Sequence, residues 1–120
     1  MHNNTDEQDA AVAALAALGQ HTRLSIFQLL VAEGAEGLAA GRIADELAVR
    51  QNTLSAHLSV LERAGMITHK RNGRSLVYRP SFYGMRALLK YLLQDCCNDH
   101  PAVRKPLLSQ LATEEPALAD

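Results

Sequence analysis

Residues 51–79 read QNTLSAHLSVLERAGMITHKRNGRSLVYR, and two hydrophobic periods meet inside that stretch. Over residues 51–64, Leu54, Leu58 and Leu61 recur at i, i+4 and i+7, which is one apolar stripe along a helix. The opposite face carries Asn52, Ala56, Ser59 and Arg63. Short polar and small side chains with a single arginine suit close approach to base edges better than they suit a merely solvated surface. Residues 66–71 and 74–79 then form two β-capable runs separated by Asn72-Gly73. That spacing predicts a β-hairpin, with a type I′ turn whose two central residues both need positive φ.

Working outward toward the N-terminus, residues 40–47 predict a short helix that inserts Ile43 and Leu47, separated from the longer helix by Ala48-Val49-Arg50. A further helix is expected from Thr22, its N-cap, to about Glu33, with Leu24, Phe27, Leu30 and Val31 buried and Gly34 as its stop. Residues 33–37 read as a loop. Residues 10–18 predict an alanine- and leucine-rich helix with Val12, Leu15 and Leu18 on one side, ended by Gly19, and the polar residues 1–9 are expected to fray.

Toward the C-terminus, Pro80 ends strand pairing and Ser81 caps a helix running to about Cys97. Its residues Phe82, Met85, Leu88, Leu89, Tyr91, Leu92 and Leu93 cover more than one face, so it needs a second surface to bury them. The tail, residues 98–120, contains Pro101, Pro106 and Pro116 and leaves room only for a short helix around residues 107–112. No internal repeat is present. The expected fold is mainly α with a small β-hairpin: a winged helix-turn-helix domain over residues 10–97.

A chain of 120 residues fits one domain. For its 13.1 kDa, area scaling gives roughly 6,400 Å² folded against roughly 19,000 Å² unfolded. The net charge of −1 argues against wholesale polyanion binding, but its distribution does not. Between residues 50 and 79 stand Arg50, Arg63, Lys70, Arg71, Arg74 and Arg79 against the single negative Glu62, and the rest of the chain is acidic. A basic segment in an acidic frame concentrates favourable potential on one surface, which lets a nearly neutral protein dock on phosphates. No apolar run approaches a membrane span and the polar start lacks signal-peptide features, so a cytoplasmic protein without a membrane partner is expected.

A helix-turn-helix lays its second helix in the major groove, and a following hairpin reaches flanking phosphates or the minor groove. On that reading Gln51, Asn52, Thr53, Ser55 and Ser59 contact the groove, Arg50 and Arg63 the phosphates, and Lys70, Arg71 and Arg74 form the wing of a double-stranded DNA-binding surface. Charges on a hairpin can also serve only to block edge-to-edge aggregation, a reading that loses weight beside the recognition helix. His57 reads as a packed, hydrogen-bonded histidine and Tyr78 as hairpin core.

Three groups of residues make the chain resemble the ArsR/SmtB family of metal- and metalloid-responsive repressors. They are Leu15-Ala16-Ala17-Leu18 with His21-Thr22-Arg23-Leu24; Leu54-Ser55-Ala56-His57-Leu58 with residues 61–67, LERAGMI; and Arg74-Ser75-Leu76-Val77-Tyr78. The resemblance spans about residues 15–97. It implies a homodimer formed by the first and last helices, bound to palindromic operators and released by an inducer. One departure is Arg50, where the family commonly has serine as N-cap of the recognition helix. Arginine cannot accept the backbone N–H bonds, so either Asn52 caps one step later or the helix start stays open until phosphates approach.

Cys96 and Cys97 are adjacent at the end of the expected dimer helix, and in a reducing compartment such a pair reads as reactive or ligand-binding rather than as a structural disulfide. Soft thiophilic centres prefer thiolates, so trivalent arsenic or antimony fits better than a hard cation. The family's other inducer sites do not transfer: residues 38–44 hold no cysteine, and residues 81–93 hold no Asp or His for a zinc site. A third family variant has a Cys-Cys pair ending the last helix plus a cysteine downstream. Here the pair is kept and residues 98–107 hold no cysteine.

Three resolutions stay open: a methylated arsenical needing two sulfurs; hydroxide, a small thiol or His100 as third ligand of arsenite or antimonite; or a residue changed in this chain. Two small apolar residues finishing a core helix, and a thiol redox switch, are the competing readings of the pair. The expected function is repression of arsenic-resistance genes with no catalytic residues and no required cofactor. The alternatives are a redox-responsive regulator and a thiol enzyme acting on arsenicals, although the latter lacks a Cys-x-x-Cys at a helix start.

Overall fold

The computed structural model describes residues 5–118. Six helices and three short strands follow in the order α1 (Thr5–Leu18), α2 (His21–Glu33), β1 (Leu38–Ala39), α3 (Ala40–Leu47), α4 (Gln51–Arg63), β2 (Ile67–Asn72), β3 (Ser75–Pro80), α5 (Phe82–Lys90) and α6 (Pro101–Leu118). A single 3₁₀ turn, Gly34–Glu36, leads into β1, and a π-helical turn, Tyr91–Cys96, continues α5. The architecture is the expected winged helix-turn-helix. No helix among the described residues is long and apolar enough to cross a membrane.

Ile26, Leu30, Ile43, Leu54, Leu61, Met66 and Ile67 are the largest fully buried side chains, so one core unites α2, α3, α4 and the base of the hairpin. The stripe Leu54, Leu58 and Leu61 faces that core as its spacing predicts. In α1 the expectation is reversed. Ala11, Ala14 and Ala17 pack inward, whereas Val12 is 56% and Leu15 46% exposed. Small residues let α1 approach its neighbours closely, and its larger apolar residues are left facing out. In α2, likewise, Ile26 joins Phe27 and Leu30 in the core while Leu24 and Val31 are exposed.

Several boundaries differ from expectation for local reasons. Helix α1 is already formed at Thr5, with Asp6 and Glu7 in its first turn where acidic groups complement the helix dipole, so residues 5–9 are helical and not frayed as expected, while residues 1–4 of that expectation lie outside the described residues. Helix α2 is capped by Gln20, whose side-chain oxygen accepts from the Arg23 N–H at 2.9 Å, so Thr22 is not the cap. Ser81 does cap α5, accepting from the Gly84 N–H at 3.0 Å.

The tail departs most, because α6 runs Pro101–Leu118 and far exceeds the short helix expected there. Pro101 sits at its first position, where a proline's missing N–H is no loss, and Pro106 and Pro116 stand inside the helix at the cost of a backbone bond each and crowding against the preceding turn.

The hairpin pairs Ile67 with Pro80, His69 with Tyr78 and Asn72 with Ser75. Its two-residue loop is therefore Gly73-Arg74, one residue later than predicted. Gly73 has φ 66° and Arg74 is not at positive φ, which fits a type II′ turn with glycine at its first central position. Strand β1, unforeseen in residues 33–40, pairs Leu38 with Tyr78 and Ala39 with Val77, so β3 is central and β2 is an edge.

Candidate nucleic-acid interface and thiol pair

Helices α3 and α4 are joined by Ala48, Val49 and Arg50. Ala48 adopts a left-handed conformation (φ 54°), and its N–H returns to the Ala44 and Asp45 carbonyls, closing α3 and turning the chain sharply into α4. Along α4, Gln51, Asn52, Thr53, Ser55, Ser59 and Arg63 are all exposed, with Asn52, Ser59 and Arg63 opposite the buried leucines and Gln51 on the leucine side of the first turn, and Arg50 is exposed just before them. Arg50 makes no side-chain cap. Asn52 Oδ1 instead accepts from the Thr53 N–H at 2.8 Å, satisfying one first-turn donor from within the helix.

On the wing, Lys70 and Arg71 stand exposed on edge strand β2 and Arg74 is exposed in the turn. Arg79, counted in the same basic segment, is committed elsewhere: its Nε donates to the Ala35 carbonyl at 2.7 Å and ties β3 to the 3₁₀ turn.

Two contacts set how the recognition helix sits, and neither was foreseen as a pair. His57, half-buried as expected, accepts from Arg23 at 3.2 Å. At the far end of α4, His69 Nδ1 lies 2.8 and 2.7 Å from the two Glu62 carboxylate oxygens, joining the recognition helix to β2. The His69 ring also rests 5.4 Å, centroid to centroid, from Tyr78. Burial first, and the Glu62 charge second, hold the Tyr78 phenol above its usual range. The one signal for the Glu62 contact was that Glu62 is the lone negative residue in a basic stretch.

Cys96 is exposed and Cys97 half-buried, and both are free thiols. A side-chain hydrogen bond to Cys96 raises the Cys97 thiol, with burial and the Cys96 charge adding smaller effects. The helix expected to reach Cys97 is α-helical only to Lys90 and then widens to the π turn, with the Cys97 N–H bonded to the Leu92 carbonyl at 3.2 Å. Asn98 and Asp99 follow in left-handed conformations (φ 53° and 52°). His100 Nδ1 accepts from the Ala102 N–H at 3.0 Å, which commits that ring nitrogen to the start of α6. Among the described residues no three or more His, Cys, Asp or Glu side chains converge as a metal site.

Residues 18–70 match a family described as a helix-turn-helix domain. The nodulation protein NolR of Rhizobium meliloti is 32% identical over 108 residues, covering 88% of this chain and 86% of NolR. A homodimeric winged helix-turn-helix DNA-binding domain from Mycobacterium bovis, described as a possible ArsR-family regulator, superposes with a TM-score of 0.63 at 28% identity, over 83% of this chain and 90% of that one. An ArsR-like regulator from Rhodococcus sp. RHA1 shares the fold, with a TM-score of 0.68 at 23% identity over 88% of this chain and 94% of its own. With an exposed polar helix face, a basic wing and these relatives together, the chain belongs to the ArsR family of winged helix-turn-helix transcriptional regulators.

Proposed function

We propose that this regulator is a homodimeric repressor of arsenic-resistance genes in the cytoplasm, and that it leaves its double-stranded operator when Cys96 and Cys97 capture a trivalent arsenical. The observation that carries the inducer is the pair of adjacent free thiols, Cys96 exposed and Cys97 half-buried, where the π turn ends. Two thiolates satisfy a methylarsenite whose carbon fills the third position. Each thiol gives up its proton, two As–S bonds replace two As–OH bonds, and two waters leave. Arsenite and antimonite need a third donor, which hydroxide or a small thiol supplies; His100 has only Nε2 left to offer.

Dimerisation is supported by surface area. The chain exposes 8,375 Å², well above the roughly 6,400 Å² expected for a monomer of its mass. Val12 and Leu15 of α1 and Leu89 of α5 are among the exposed large apolar residues, as expected if those helices meet a second copy. Two-fold symmetry then presents two recognition helices to a palindromic operator.

Release acts by population shift. Ligation rearranges the end of the α5 segment and favours a dimer geometry that does not fit DNA, by as much as the ligand's affinity differs between the two states. Fluorescence anisotropy on the DNA upstream of the gene tests the reading: methylarsenite at stoichiometric excess releases the wild-type protein and leaves Cys96→Ala/Cys97→Ala bound. If methylarsenite, arsenite and antimonite all fail to release the wild type, the inducer assignment is wrong.

A further inference from the structure

Helix α6 has an apolar stripe that the described residues leave largely uncovered. Val103, Leu107, Leu108 and Leu111 fall at i, i+4, i+5 and i+8, one face of a helix. Yet from residue 101 to 112 every side chain is exposed except Leu107, which is half-buried. An isolated 18-residue helix with two interior prolines, Pro106 and Pro116, is marginal in water, so tertiary packing is what sustains such a segment.

Elsewhere the molecule has an unfilled groove of about 980 Å³ between α1, the end of α4, β2 and α5. Ala11, Met66 and Leu88 line it, with Asp6 and Glu7 contributed by the first turn of α1.

We infer that α6 of one subunit lies in this groove of its partner, so that the two copies exchange their C-terminal helices. The inference rests on the homodimer proposed above, and four observations favour a second copy as the occupant. The knuckle before α6 turns through two left-handed residues and is braced by the Asp99–Arg104 ion pair at 3.2 Å and by His100, which holds α6 in its outward course. The groove is walled by α1 and α5, the helices that also present Val12, Leu15 and Leu89, so it adjoins the dimer face. Lys105, which makes no ion pair among the described residues, matches the acidic first turn of α1. The surplus surface over a compact monomer, roughly 2,000 Å² per chain and so roughly 4,000 Å² for two copies, falls in the range that obligate homodimer interfaces bury. Because α6 begins just beyond Cys97, ligand capture by the thiols would also disturb this exchange.

The test uses full-length chains carrying Cys96→Ser and Cys97→Ser. One copy, bearing a mass tag, also carries Gln110→Cys in α6; an untagged copy carries Ala87→Cys in the groove wall. After subunit exchange, a short bismaleimide is expected to give a tagged–untagged covalent dimer. Adding Leu108→Asp to the α6 copy removes that product and raises the dimer dissociation constant about tenfold or more. A chain carrying both cysteines that cross-links only within itself, or not at all, while sedimentation still reports a dimer, overturns the exchange and leaves the homodimer intact. A monomer by sedimentation overturns both.

Discussion

Arg23 donates through Nη1 to His57 Nδ1 at 3.2 Å and through Nε to the Ala17 carbonyl at 2.7 Å. One guanidinium thus joins the end of α1, the first turn of α2 and the middle of α4. Arginine only donates, so His57 Nδ1 is the acceptor and the ring proton lies on Nε2. That bond orients the recognition helix from the side. His57→Ala is expected to cost about 1 to 2 kcal/mol of stability in urea titration. It should also weaken operator binding beyond that loss, measured under conditions where the variant is fully folded, because α4 then lacks its lateral tether.

The basic wing divides into exposed and committed side chains. Lys70 and Arg71 are exposed on β2, whereas Arg79 is held by the Ala35 carbonyl. Lys70→Ala and Arg71→Ala should each weaken binding about equally on all DNA sequences and reduce the slope of log affinity against log salt by about 1. Arg79→Ala should leave that slope unchanged and lower stability instead. Anisotropy titrations over a range of salt, paired with denaturant unfolding, separate the two behaviours.

The same division explains which parts of the molecule could be read from the sequence. Leu54, Leu58 and Leu61 announce α4 because a half-buried helix imposes its period on the chain, and the exposed polar face follows from that stripe. The hairpin was legible but its turn was not placed correctly: Asn72-Gly73 identified the loop, while the positive φ falls on Gly73 followed by Arg74. Strand β1 is two residues long and has no period to read. Helix α1 misled because its inward face is alanine, and α6 because Pro101 and Pro106 read as breakers although the first sits where proline is welcome. The adjacency of Cys96 and Cys97 was plain, but the π turn that carries them leaves no signature, and partners such as Arg23 with His57 lie far apart in the chain.

Gly84 gives a prediction whose sign opposes helix propensity. It lies in the first turn of α5, and a Cβ there would collide with the Gly65 carbonyl oxygen, which is backbone and has little room to yield. Propensity alone makes Gly84→Ala stabilising by about 1 kcal/mol. The close approach of α5 to the loop after α4 reverses this, and a net loss of about 1 to 3 kcal/mol is expected. Thermal and urea unfolding of Gly84→Ala decide between them.

Tyr78 makes alkaline stability a local readout. Its phenol is raised above 10.0 by burial and then by Glu62, so the folded state holds that proton more tightly than the unfolded chain. The stabilisation is complete below the unfolded value and is lost as pH rises through the raised folded one. As pH rises past 10.0 the wild type should therefore lose more stability than Tyr78→Phe, which has no proton to lose. Melting temperatures of both proteins on either side of that pH, with tyrosinate absorbance followed in parallel, check the difference.

On the proposed operator-binding reading, Arg50 sets stability against DNA affinity at one position. It precedes α4 in an extended conformation (φ −67°, ψ 148°), the geometry of an N-cap, yet its side chain caps nothing. A serine there accepts from a first-turn N–H, so Arg50→Ser should stabilise the fold by about 1 kcal/mol. The same change removes a positive charge beside the N-terminus of the recognition helix, where phosphate is drawn both by the helix dipole and by the guanidinium. Operator affinity should fall and the salt slope should shrink by about 1. Arg50→Lys should keep the slope and gain no stability. If Arg50→Ser stabilises the protein without altering the salt dependence, Arg50 faces solvent in the complex and not a phosphate.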